Sequence, residues 1–260
     1  EALNKGMAEF CSVDKRMFGA AYIPFSHGEE IALNMLKQSI KQGSKVILID
    51  TVAPKGTKAF THPDFDIVWR EIQENDITIT LHVGADNGWD PVPLSFYNNG
   101  SQVTAHKEGD APRDALAYMG ISYNAELFLA SMIFDGIFQR FPNLRVGVVE
   151  LGASWIISWM KHLDQSYRAF RRLQDLSQVK LLPSEYVMKH IKITPFAGED
   201  IGWLLESGAE DLLMFASDYP HHEGTDDPIA RFEKTMIDTS EEKKLKFYSE
   251  NFKILLGSHL

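Results

Sequence analysis

Six apolar runs of strand length, spaced along 260 residues with helical segments between them, constrain this chain more than any other feature. They are GAAYIPF at 19–25, KVILID at 45–50, ITITLHV at 77–83, LRVGVVE at 144–150, IKITPF at 191–196 and LLMFASD at 212–218. The second is continuous and β-branched, the pattern of a strand buried on both faces. Between the runs, residues 29–42 put Ile31, Met35, Leu36 and Ile40 on one helical face, and Phe65, Val68, Trp69 and Ile72 fall at i, i+3, i+4 and i+7. Helices are also expected over 124–140, 155–170, 200–206 and 240–256. No two runs read as a hairpin, and strands alternating with helices imply a parallel sheet. No GxGxxG or GxxxxGK[ST] follows any strand, so the α/β class is read as a (β/α)8 TIM barrel rather than a doubly wound nucleotide fold. The chain opens abruptly on Glu1-Ala2-Leu3 without a Met. The expectation is therefore a barrel that lacks its first two strands in this chain.

Composition narrows the function classes. With 36 Asp and Glu against 26 Lys and Arg, the net charge of −10 argues against a phosphate-binding surface, so no nucleic-acid partner is expected. The single Cys11 has no partner for a disulfide and no CxxC exists, which suits a reduced, cytoplasmic setting. No apolar run is long enough to span a bilayer, and no basic-then-apolar leader opens the chain. No linker or low-complexity block divides it, so one domain is expected over 1–260. The long segment at 84–120 reads as a lid carrying Trp89, Phe96 and His106.

In parallel α/β folds ligands sit at the carboxyl ends of strands. Those exits carry Asp50, His82, Glu150 and Asp218, with His27 and His221 just beyond. His82 lies among residues that should be buried, so it is either a hydrogen-bonded core histidine or a ligand, since neutral imidazole is the commonest nitrogen donor to metals. Glu150 follows an apolar run and is either half of a salt bridge across the rim or a general acid/base. Asp218 alone would be a turn residue before Tyr219-Pro220; beside His82 and Glu150 it becomes a candidate ligand or base. His62, ahead of Pro63, reads as closing a turn, and His162, His190 and His259 read as helix-surface or terminal residues without a role.

LHVG at 81–84, FPNLRVGVVELGASW at 141–155 and FASDYPHHEG at 215–224, supported by AEFCSVDKRMFGAAYIP at 8–24 and HPDFDIVW at 62–69, resemble the amidohydrolase-related family of metal-dependent hydrolases. That family includes the aminocarboxymuconate-semialdehyde decarboxylase group. The likeness covers nearly the whole chain. It implies a TIM barrel with one divalent metal, Zn or alternatively Mn, at the mouth. His82 is then the strand-five metal ligand and Asp218 the strand-eight metal ligand or base. Glu150 stands where decarboxylase members carry a catalytic His and other branches carry Glu. The family's first strand supplies an HxH pair, and no HxH exists here; a truncated chain, a barrel completed by another segment and a degenerate homologue are the alternatives, with the first preferred. A homodimer is the expected assembly.

On that resemblance the expected activity is hydrolysis of a small organic amide, ester or lactone by metal-activated water. Asp218 takes the water's proton, Glu150 shuttles it or orients the substrate, and His221 and Trp89 contact the substrate. Non-oxidative decarboxylation of an aromatic or muconate-type acid is the alternative. A catalytically inactive barrel with a binding or structural role is the rival of another class.

Overall fold

The computed structural model describes residues 1–86, 91–100, 114–221 and 224–259. Five strands form one sheet: β1 (Ala20–Ile23), β2 (Val46–Ile49), β3 (Thr78–His82), β4 (Arg145–Val149) and β5 (Ile191–Ile193). Every pairing is parallel, and the spatial order β1-β2-β3-β4-β5 is the chain order. A doubly wound sheet reverses direction at a switch point; this one never does, as in the wall of a barrel. The fold is a TIM-barrel α/β architecture present as a partial barrel.

The sixth expected strand is not one. Residues 212–218 contribute a single parallel bridge, Ile193 to Leu213, framed by Ile193 N–H to the Leu212 carbonyl and Met214 N–H to the Ile193 carbonyl, each 2.9 Å. Beyond it the backbone leaves the sheet, because the Phe215 N–H donates instead to the Phe247 carbonyl at 2.9 Å. Asp218 then takes φ +56°, which no strand accommodates.

Ile47, Ile49, Ile79, Leu81, Val146 and Val148 belong to one core with Val68, Trp69 and Ile72 of helix Asp66–Glu74, and all nine are fully buried. The in-register partners Thr78, Thr80 and His82 of β3 and Arg145, Gly147 and Val149 of β4 share the opposite face. Gly147 is needed there: a Cβ would stand 2.8 Å from Leu255 of the closing helix Asn251–Leu256. The outer edge of β1 is satisfied without a strand. Asn4, in the first helix Ala2–Cys11, accepts from the Tyr22 N–H at 2.9 Å and donates to the Tyr22 carbonyl at 2.8 Å, so one side-chain amide replaces a neighbouring peptide unit.

The expected helix over 124–140 is two, Tyr123–Phe134 and Ile137–Arg140, split where Gly136 adopts φ +73°. Helices Pro183–His190 and Pro228–Thr235 were not expected, although each opens with Pro in its first turn. The lid segment contains two short helices among its described residues, Leu94–Tyr97 and Ala115–Met119, the second capped by Asp114 accepting from the Ala117 N–H at 2.8 Å. Trp89 and His106 lie outside the described residues. His190 corrects its surface reading: it is 3% exposed, its ring stacked on Phe138 at 4.5 Å, with Nδ1–H donating to the Leu144 carbonyl at 2.8 Å.

Candidate active site

His82 ends β3 in register with Val149 of β4, so the next residue of that strand exit, Glu150, stands beside it. The imidazole Nδ1–H donates to the Val83 carbonyl at 2.8 Å, which turns Nε2 toward Glu150; Nε2 and Glu150 Oε2 are 2.5 Å apart. At that separation the two side chains share a hydrogen bond. Glu150 leaves β4 at φ +57° and Asp218 has φ +56°. Left-handed backbone at a non-glycine residue costs roughly 1–3 kcal/mol, and the fold maintains it at both carboxylates.

Asp218 follows the bridge that replaces the sixth strand. Its carbonyl accepts from the His221 N–H at 2.8 Å, and its carboxylate lies 3.7 Å from His221 Nδ1. Gly224 closes this turn, since a Cβ there would stand 3.0 Å from the Asp218 carbonyl and 3.1 Å from those of Ser217 and His221. Glu150, Asp218 and His221 each present one donor atom, all within 4.8 Å of one another. His82, Glu150 and Asp218 line a cavity of about 410 Å³ walled by Val149, Pro195, Phe196, Ala216 and Tyr118.

The carboxylate of Glu199 braces this rim. It accepts from the backbone N–H groups of Ala153 (2.9 Å), Ser154 (2.6 Å) and Phe196 (2.7 Å) and from the Ser154 hydroxyl. One side chain thus ties the loop after β4 to the loop after β5, which carries the Phe196 ring into the cavity against Tyr118 at a centroid separation of 5.5 Å. Thr194 Oγ1 accepts from the Glu150 N–H at 3.3 Å.

Of the expected site residues, the structure brings His82, Glu150, Asp218 and His221 together. Trp89 lies outside the described residues. Asp50 is the strand-exit acid that stays apart: it is 2% exposed and occupied by the Tyr22 hydroxyl at 2.6 Å and the Ser26 N–H at 2.8 Å. His62 closes its turn as expected, Nδ1 accepting from the Asp64 N–H at 3.2 Å. Sequence reasoning passed over Glu199, Thr194, Tyr118 and Arg231. Thr194 carried a signal, because it follows β5 directly and strand exits are where ligands bind.

Residues 2–252 match the family profile described as Amidohydrolase. The chain belongs to that family. Among solved structures it is similar to an amidohydrolase from Mycobacterium avium subsp. paratuberculosis, with TM-score 0.74 and 21% identity over 92% of this chain and 58% of that one. A 5-carboxyvanillate decarboxylase from Novosphingobium aromaticivorans with bound manganese superposes with TM-score 0.75 and 20% identity, covering 98% and 69%. A dihydroxybenzoic acid decarboxylase from Polaromonas sp. with bound manganese gives 0.70 and 17%, covering 100% and 76%. The chain therefore spans little more than half of the first and about three quarters of the third.

The donor set of this amidohydrolase site fits a single divalent ion. Glu150, Asp218 and His221 combine carboxylate oxygen and imidazole nitrogen within reach of one ion, donors that both Zn and Mn accept. No helix among the described residues is long and apolar enough to cross a membrane.

Proposed function

We propose that this chain carries the catalytic rim of a divalent-metal-dependent decarboxylase acting on a small aromatic acid. The observation that carries the reading is the meeting of His82, Glu150 and Asp218 in one cavity whose wall is apolar and aromatic, with Tyr118 beside Phe196. Such a wall receives a planar ring, and the polar end receives its oxygens. The decarboxylase names of two similar structures, and the manganese bound in them, support the same choice.

His82 and Asp218 would hold the ion, with Glu150 and His221 at its edge. When bound, the ion draws charge from substrate oxygens. Glu150, fixed by His82 on one side and by the Thr194 hydroxyl at its N–H, delivers a proton to the ring carbon as the bond to the departing CO2 breaks. Water returns that proton to Glu150, so the net change is loss of CO2 and gain of hydrogen at carbon. The apolar wall excludes water from the carbanion-like stage.

Hydrolysis is the second reading, favoured by one feature: Glu150 is a carboxylate, and with Asp218 it places two bases beside the ion, a set suited to taking a proton from water.

Direct assay of CO2 release from a panel of hydroxybenzoates, with the chain saturated in Mn, tests the first reading. Release abolished by Asp218→Ala and by Glu150→Gln is expected. Hydrolysis of esters or lactones without any CO2 release would overturn it in favour of the second. Elemental analysis checks the ion separately: about one equivalent bound by the wild type and lost in His82→Ala and Asp218→Ala.

A further inference from the structure

The cavity contains a cation that the chemistry above does not use. Arg231, on helix Pro228–Thr235, lines the same cavity as Glu150 and Asp218. Several cations of this acidic chain are held in ion pairs away from the cavity: Lys58 with Glu29 and Asp64, Arg140 with Asp66, Arg145 with Asp76, Lys244 with Glu233, Lys246 with Asp211. Among the described residues Arg231 has no acidic partner, and no ion pair joins it to either cavity carboxylate. Its helix is held independently, by Asp227 accepting from the Ala230 N–H at 2.9 Å, so the guanidinium has no part in building the turn it stands on.

A guanidinium offers five donors in a planar fork that matches a carboxylate with two parallel hydrogen bonds. Lining one cavity with two acids that attract cations and repel anions, it is, among the described lining residues, the permanent cation that reverses that preference locally. We propose that Arg231 is the substrate-anchoring residue for an anionic carboxylate, so that the cavity selects planar organic acids over their neutral amides and esters. This rests on the reading that the cavity is the active site. It adds a residue that decides charge specificity and takes no part in bond breaking.

Calorimetric titration of the full chain with benzoate, and with benzamide as its neutral match, tests the assignment in the presence of Mn and again with chelator. Wild type is expected to bind benzoate more tightly than benzamide under both conditions. Arg231→Gln should weaken benzoate by about 10- to 100-fold, the worth of hydrogen bonds to a charged group, and leave benzamide unchanged. Arg231→Lys, which keeps the charge without the fork, should fall between. Since Arg231 is exposed, all three proteins should melt alike. Benzoate binding as tight in Arg231→Gln as in wild type overturns the proposal, and so does a wild type that does not distinguish benzoate from benzamide. Arg231-dependent benzoate binding in a chain that takes up no Mn supports the anchor while removing the metal reading, so the two fail separately.

Discussion

His190 shows how one residue couples this fold to pH. Burial removes the hydration that the imidazolium needs and lowers its pKa to about 4, against the smaller opposing pull of its hydrogen bond to the Leu144 carbonyl. Its Nε2 is buried without a hydrogen-bond partner among the described residues, so a second proton has no acceptor. Because the folded-state pKa lies below the unfolded value of 6.5, the unfolded chain binds the extra proton first. The contribution is complete above pH 6.5 and is lost as pH falls toward 4, with a full amplitude of about 3 kcal/mol. His190→Gln, which keeps a donor for Leu144, should flatten the loss of stability across that interval when urea midpoints are compared at successive pH values. Glu126 shifts the other way: burial raises its pKa, against a hydrogen bond from the Ser122 hydroxyl and the nearby His162. Its ionised form thus opposes folding at neutral pH, and Glu126→Gln should stabilise there and lose that gain in acid, as a thermal melt at each pH would show.

At the level of elements, the site is a junction of two loops that neither strand specifies alone. Glu199 makes the junction by accepting backbone N–H groups from both sides, and Gly152, at φ +65°, lets them approach: a Cβ there would stand 2.9 Å from the Phe196 ring. Glu199 has no place in the chemistry, so it acts by positioning. Glu199→Ala should lower metal affinity and kcat by about 10- to 100-fold, as loss of supporting hydrogen bonds does at metal sites. Equilibrium dialysis against Mn reads the first quantity and CO2 release the second. Unchanged affinity with only a lower melting temperature would mean that the brace serves stability alone.

Across the whole molecule, the chain's end is fastened beneath β3 and β4, far from the cavity. Leu255 presents its carbonyl to the Thr78 hydroxyl at 2.8 Å and to Arg145 Nε at 2.7 Å, and Asp76 accepts from Arg145 and from Ser258. Burial alone would raise the Asp76 pKa, but the Ser258 and Arg145 hydrogen bonds outweigh it and hold the carboxyl at about 2. A depressed carboxylate stabilises above its unfolded value of 3.8 and stops doing so as pH falls toward 2. Asp76→Asn should therefore cost about 1–2 kcal/mol at neutral pH and remove this part of the acid limb, read as melting temperature against pH. Gly257, at φ +62° with Arg145 atoms 2.7 Å from any Cβ, makes the same clasp sensitive to Gly257→Ala.

The sequence by itself determined the alternation of strands and helices, the parallel sheet, the amidohydrolase likeness and the strand-exit residues His82, Glu150 and Asp218. These are local signals: an apolar run and its terminal polar residue are adjacent in the chain. What the tertiary structure decided is how distant segments share groups. It shortened 212–218 to one bridge, because Phe215 found its partner in Phe247, and it withdrew Asp50 from the rim by giving it Tyr22 and Ser26. It buried His190 against Phe138, tied two loops together through Glu199 and set Arg231 at the cavity, from positions that no periodicity marks. Hydrogen-bond partners tens of residues apart leave no pattern along a single chain, so only folding, which brings their donors and acceptors within reach, could reveal them.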